Sequence, residues 1–205
     1  MEKLTALYIQ YKGEEPAEIE KIPGAGSNRQ YYRFIGKDGE SVVGVIGTSR
    51  DENHAFIYLD RHFQLRQLPV PHILAVSEDE LCYLQTDLGH TSLFDAIRGG
   101  REAGGRYNQN EQQLLIKTIR ALPNFQIRGA RGLDWKNCYP QPEFDEESVL
   151  FDLNYFKYCF LKATGLDFHE LKLEANFHMF AQDLTSETSD YFLYRDFQAR
   201  NVMLD

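Results

Sequence analysis

Cysteine is scarce in this sequence. Cys82, Cys138 and Cys159 are an odd number, widely spaced, with no C-x-x-C and no matching histidine pair. Neither a disulfide framework nor a zinc site is indicated, and all three are expected to be buried, reduced thiols. Long apolar runs are absent as well, and the opening MEKLTALYIQ has neither the positive start nor the apolar stretch of a signal peptide. A soluble, cytoplasmic chain without a membrane partner is the expectation. Positive charge is in deficit: 22 Lys and Arg against 31 Asp and Glu give a formal net charge of −9. A nucleic-acid surface needs clustered basic residues to neutralise phosphates, so that partner is not expected, while a cationic or neutral ligand is tolerated. Gly-Lys-Ser/Thr occurs nowhere, which excludes a Walker loop. The six histidines show no metal-ligand spacing.

The composition that remains is that of an ordinary globular protein, 42% hydrophobic and 26% charged. A length of 205 residues suits one compact domain or two small lobes. The first half predicts strands over residues 30–35, 41–47, 72–76 and 81–86, rich in β-branched and aromatic residues and separated by turn signals. Between the second and third strands, Ser49-Arg50-Asp51-Glu52 reads as a capping box that opens a helix. Behind it, Ala55, Phe56, Leu59 and Phe63 form an apolar stripe. Residues 111–122, 148–163 and about 168–184 carry helical periodicity, with Pro123, Pro140 and Pro142 punctuating the links. Residues 99–105 are the one flexible-looking stretch. The change from strands to helices places a boundary near residues 88 and 89, with no internal repeat on either side.

The segment after Tyr191 carries the chemistry. An apolar run leads into Arg195-Asp196, four residues follow, then Asn201 and a second apolar run. This is the R-D-x-x-x-x-N spacing of a kinase catalytic loop, in which the Asp accepts the proton of the substrate hydroxyl and the Asn holds a magnesium ion. Phosphoryl transfer needs a carboxylate beside the attacking oxygen and a neutral oxygen near the metal. A tight loop between two short strands would hold both. Near the N-terminus, Ile22-Pro23-Gly24-Ala25-Gly26-Ser27-Asn28 precedes an aromatic β-type run. The glycine pair therefore sits in a strand–turn–strand setting rather than in the strand-to-helix turn of a Rossmann fingerprint. It is either an ordinary hairpin turn or a kinase-style loop whose small residues let backbone amides and a hydroxyl approach phosphate.

In this order, the motifs resemble the aminoglycoside phosphotransferase and choline kinase-like superfamily, whose catalytic motif is typically His-Gly-Asp-x4-Asn followed by an Asp-Phe-Gly-like Asp. Within it the chain looks most like bacterial phosphotransferases related to N-acetylmuramate and N-acetylglucosamine kinases. That resemblance rests on Gly24-Ala25-Gly26-Ser27-Asn28-Arg29, on Leu84-Gln85-Thr86-Asp87-Leu88-Gly89, and on Tyr194-Arg195-Asp196 through Asn201, and it covers essentially the whole chain. It implies an α+β, protein-kinase-like two-lobed fold. Residues 1–88 would form a small antiparallel-sheet lobe with one helix, and residues 89–205 an incomplete helical lobe. It also implies an ATP- and magnesium-dependent transfer to a hydroxyl of a small molecule, most plausibly a sugar or amino sugar. An aminoglycoside or choline-type kinase and a non-catalytic pseudokinase scaffold are the alternatives.

By position, the resemblance implies Asp196 as catalytic base and Asn201 as magnesium ligand. Gly24, Gly26, Ser27 and Asn28 become the phosphate-facing loop, the backbone of Gln85, Thr86 and Asp87 the adenine hinge, and Glu52 the helix acid that orders the phosphates. Helix capping by Glu52 is equally open. Three departures stand against the family pattern. Residues 41–49 contain no basic residue where a strand Lys is usual, leaving Arg29, Arg33 or Arg50 as substitutes. Tyr194 stands where His is usual. The sequence ends at Asp205, before any Asp-Phe-Gly-like carboxylate, so a fragment with one metal ligand missing and doubtful catalytic efficiency is expected. The substrate region is expected in the helical insert, where Asp134, Trp135, Glu143, Asp145, Glu146, Glu147 and Asp152 lie among Tyr139, Phe144, Phe151, Tyr155 and Phe156. Most of those aromatics are expected to pack into the core.

Overall fold

The computed structural model describes residues 1–24, 28–188 and 190–204. It is an α+β fold. Helix α1 (Glu2–Lys12) precedes strands β1 (Glu18–Ile22), β2 (Gln30–Ile35) and β3 (Ser41–Ile46). Helix α2 (Arg50–Gln64) follows, then β4 (Ile73–Val76) and β5 (Cys82–Thr86). The strands form one antiparallel sheet in the order β1-β2-β3-β5-β4. Beyond it the chain is helical: α3 (Leu93–Ala96), α4 (Arg98–Glu102), α5 (Gln109–Pro123), α6 (Glu146–Phe156) and α7 (Glu170–Thr185), linked by 3-10 and π-type turns.

Period-two alternation divides the sheet's side chains between two cores. One face brings Phe34, Val42, Cys82 and Leu84 against Leu4, Leu7 and Tyr8 of α1, with Tyr8 stacked on Phe34 at 5.0 Å. Gly44 is required on that face, because a Cβ there would collide with Phe34 and Leu4. The other face packs Val43, Val45 and Tyr83 against Ile57 and Phe56 of α2. The sheet is thus covered by a helix on each side. Helix α1 has no counterpart among the sequence expectations, nor does β1. Its signal was the i, i+3, i+4 spacing of Leu4, Leu7 and Tyr8, closed by Gly13 in the left-handed region at φ 81°.

The capped start of α2 is present in part. Ser49 Oγ accepts from the Glu52 amide at 3.3 Å, whereas the Glu52 side chain turns away to Arg29. Helix α5 has the full reciprocal box instead: Asn108 accepts from the Glu111 amide, and Glu111 accepts from the Asn108 amide and from the Gly100 amide at 2.9 Å. This buried carboxylate ties α4 to α5, so the glycine-rich stretch after residue 98 begins as helix rather than as an open linker. Pro123 does not end its element cleanly, since a π-type turn over Asn124–Arg128 carries the chain on and buries Phe125.

Two burial expectations are corrected. Only Cys82 is buried, with Cys138 half-buried and Cys159 exposed. Phe151, Tyr155 and Phe156 lie on the open side of α6, exposed rather than packed into a core, because α7 covers the other side of that helix. Among the described residues no helix is long and apolar enough to cross a membrane.

Candidate functional site

The sheet and the helical half meet at a cleft of about 820 Å3. Its sheet wall is Ile22, Val43 and Gln85, its edge runs from Thr86 to His90, and its floor includes Tyr194, Phe197, Asn201, Val202, Met203 and Leu204. Volumes of roughly 300–1,000 Å3 with mostly apolar walls are typical of small-molecule sites. Of the residues singled out in the sequence, Gln85, Thr86, Asp87 and Asn201 all line this one cleft.

The floor owes its shape to an aromatic cluster. Phe63 at the end of α2 meets Phe125 at 5.5 Å and Phe192 at 5.0 Å, both edge-on. Phe125 meets Tyr194 at 5.3 Å, and Tyr194 meets Phe197 at 5.1 Å. Edge-to-face pairs at this range add about 0.5–1.5 kcal/mol each beyond their burial. Tyr194 is therefore a packing residue, and burial pushes its phenol up from its ordinary value. This gives a physical reason for an aromatic ring at position 194.

The expected pair of strands around Asp196 is absent. Residues 192–198 are irregular, tied by the Phe192 amide to the Gln126 carbonyl at 3.0 Å. Arg195 adopts φ 58°, a left-handed conformation that costs a non-glycine residue about 1 kcal/mol or more. Its guanidinium is held by Asp152 at 2.6 Å and lies over the Phe144 ring. Asn201 sits in a 3-10 turn (Ala199–Asn201). Its side-chain Nδ2 donates to the Asp196 carbonyl at 3.0 Å. The chain after it bridges back to the start of α3, with the Leu93 amide donating to Val202 and the Leu204 amide to Thr91.

Asp196 is exposed and lines neither of two cavities, although its neighbours in the chain line them. The residues before it, Tyr191 to Arg195, line a second cavity of about 1,010 Å3, and Phe197 and Asn201 after it line the first. The second cavity collects Trp135, Tyr139, Glu143, Phe144, Asp145 and Glu146. Asp134 and Asp145 are helix caps, accepting from Lys136 and Ser148 amides, and Asp152 is paired with Arg195. The carboxylates of this segment therefore divide into caps, an ion pair and cavity walls.

At the edge of the cleft the side chain of Asp87 is anchored on several sides. Arg33 is buried and grips Asp87 with two nitrogens, Nε at 2.5 Å and Nη2 at 3.1 Å. Ser41 Oγ and the Gly89 amide donate to the same carboxylate at 2.7 and 3.0 Å. Burial works to raise the Asp87 carboxyl, but the hydrogen bonds from Arg33 and Ser41 outweigh it and hold the group below its ordinary value. Arg33 also donates to the Gly89 carbonyl at 2.9 Å. The Thr86 amide donates to the His72 carbonyl at 2.9 Å.

Of the three candidate cations, Arg33 is thus locked to Asp87 and Gly89, and Arg50 is an exposed partner of Glu80. Arg29 pairs with Glu52 at 3.1 Å, with its guanidinium 5.0 Å from the Phe56 ring centroid. Gly24 and Asn28 are exposed in the connection between the antiparallel β1 and β2. Gly26 and Ser27 lie outside the described residues. No linear signal marked Arg33 or Ser41 as partners of Asp87, because they are 54 and 46 residues away from it.

Among the described residues no three His, Cys, Asp or Glu side chains gather as a metal-ligand set. Asn201 offers one neutral oxygen, because its Nδ2 is fixed by Asp196. That donor set does not by itself make a magnesium site. The chain matches no protein-family model and no curated protein at a significant level.

Proposed function

We propose that this chain is a protein-kinase-like phosphotransferase that moves the terminal phosphoryl group of ATP to a hydroxyl of a small molecule, a sugar or amino sugar. One observation carries the reading. The Asp196 segment has the sheet-lined cleft on one side in the chain and the aromatic, acid-lined cavity on the other. Two substrates entering from the two cavities would meet at this carboxylate.

In that reading, adenine lies against Ile22 and Val43 above, and Met203 below. The backbone of Asp87 and Leu88 is the hinge it reaches, since Thr86 and Gly89 are already engaged. Asp196 accepts the proton of the acceptor hydroxyl as its oxygen attacks the γ-phosphorus. The bond to the β-phosphate oxygen breaks and ADP leaves. Asn201 fixes the loop by donating to the Asp196 carbonyl, and its Oδ1 would serve as a neutral ligand. Magnesium, when bound, would spread phosphate charge. The described residues supply Asn201 toward it rather than a full set.

A scaffold that binds nucleotide without catalysis is the second reading. It is favoured by the aliphatic Val43 and Val45 where a strand cation is usual. ADP release, followed by product analysis against a panel of sugars, amino sugars, aminoglycosides and choline, separates the two. Transfer that is abolished in Asp196→Asn supports the enzyme. Nucleotide binding with no transfer to any acceptor supports the scaffold, and no nucleotide binding sinks both.

A further inference from the structure

The wall of the cleft contains a buried acceptor with nothing to accept from. By period-two alternation, β5 sends Leu84 into the core shared with α1 and Gln85 to the opposite face, where it borders the cleft. Gln85 Oε1 is buried and has no hydrogen-bond partner. Other buried side-chain polar atoms among the described residues share that condition, but Gln85 Oε1 is the one that belongs to a residue lining the cleft. Such an atom is costly to the fold, because it has given up water and gained no donor in return.

The surroundings explain why the chain itself leaves it unpaired. Gln85 lies opposite Val43 of β3 on one side and Ile73 of β4 on the other, and both flanking side chains are aliphatic. The nearby amides are taken: Ile73 donates to Asp60 Oδ1 at 3.3 Å and Thr86 to the His72 carbonyl. Two residues further on, Asp87 collects donors from Arg33, Ser41 and Gly89. Donors are thus concentrated at the edge of the cleft and absent around Gln85 on its wall. A ligand resting against Ile22 and Val43 meets apolar surface on its face, and at its rim it meets a bare acceptor. A flat heteroaromatic ring bearing an amino group fits both conditions. Glutamine suits adenine in particular, since its carbonyl can accept from the 6-amino group, whereas a 6-oxo purine would set two acceptors face to face.

We propose that the Gln85 side chain selects the base of the bound nucleotide, its Oε1 accepting from the 6-amino group of adenine and excluding 6-oxo purines. The inference rests on the phosphotransferase reading and adds a side-chain determinant to it, where the resemblance gave residue 85 a part through its backbone alone. Selection of this kind is effective because the wrong base leaves the buried acceptor unpaired.

The test is calorimetric titration of the full chain with three triphosphates that differ at one edge of the purine: ATP, purine riboside triphosphate, which lacks the 6-amino group, and ITP, which carries an oxygen there. The parent should bind ATP about tenfold more tightly than purine riboside triphosphate, and ITP more weakly still. Gln85→Leu should remove most of the ATP advantage and leave purine riboside triphosphate unchanged, whereas a merely structural role would weaken all three together. Gln85→Asn withdraws the carbonyl by one carbon and should narrow the ranking in the same direction, which decides the matter if Gln85→Leu does not fold. A parent that binds the three alike overturns the assignment and leaves the kinase reading intact. So do a preference for ITP, in which the amide would present its NH2 to the base, and a ranking that both variants preserve. A parent chain that binds none of the three removes the kinase reading itself, and this assignment with it.

Discussion

The side-chain amide of Asn201 donates to the backbone carbonyl of Asp196 at 3.0 Å, across a spacing of five residues. The pair is thus joined through the backbone of one residue and the side chain of the other. The Asp196 carboxylate stays open for a proton, and the Asn201 oxygen stays open for a ligand.

Asn201→Ala removes that tie. Loop misplacement on the scale of 1 Å costs roughly 100-fold in rate, so ADP release should fall by about that factor. Nucleotide at about 100 times its dissociation constant stabilises by about 2.7 kcal/mol. The thermal shift of the parent chain with Mg-ATP should be of that order and should shrink in the variant. An undiminished shift would separate Asn201 from the nucleotide site.

The Arg33–Asp87 pair should show in stability. Asp87→Ala leaves a buried guanidinium without its carboxylate and should cost about 3–5 kcal/mol, measured by denaturant unfolding near neutral pH. The folded-state carboxyl lies below its ordinary value of 3.8. Its contribution is complete above that value and is lost as pH falls through the lower folded one. The stability gap between the parent and Asp87→Asn should therefore close on acidification below 3.8. A gap that stays constant would show that the pair is not ionic.

His62 should impose a second, less acidic dependence. Burial lowers its imidazole below the ordinary value of 6.5, and its Nε2 donates to the Gly129 carbonyl at 2.8 Å. The neutral ring belongs to the folded state, so its contribution is present above 6.5 and is lost as pH falls and the unfolded chain takes up a proton. His62→Gln should flatten the pH dependence of stability in the range just below 6.5. The same slope in parent and variant would assign it elsewhere.

Phe63 lies on α2 and its ring meets both Phe125 and Phe192, so it couples α2 to the floor of the cleft. Phe63→Ala should cost about 3–5 kcal/mol by the cavity it opens. It should also speed amide exchange at Phe192, whose N–H is held by the Gln126 carbonyl. Protection at Phe192 equal to that of the parent would show that the loop is anchored without α2.

Local chemistry made much of this protein legible. Strands 30–35 and 41–46 follow from β-branched and aromatic runs between turns. Helices α2, α5, α6 and α7 follow from periodicity, with polar caps at Ser49, Asn108 and Asp145 for the first three, because these signals act within a few residues. The sequence also placed Gln85, Thr86, Asp87 and Asn201 as site candidates, and all four line one cleft. Only the tertiary structure decided how they are held. Arg33 and Asp87 are 54 residues apart, as are no two members of a periodic pattern. Tyr194 acquires its role from Phe125, which a π-type turn delivers from the end of α5. Glu52 could cap its helix or order phosphates, and spacing gave no sign of Arg29, which the fold brings within 3.1 Å of it. Hydrophobic period and capping are properties of neighbours in the chain. Ion pairing, stacking and cavity shape are properties of neighbours in space, and packing alone brings those together.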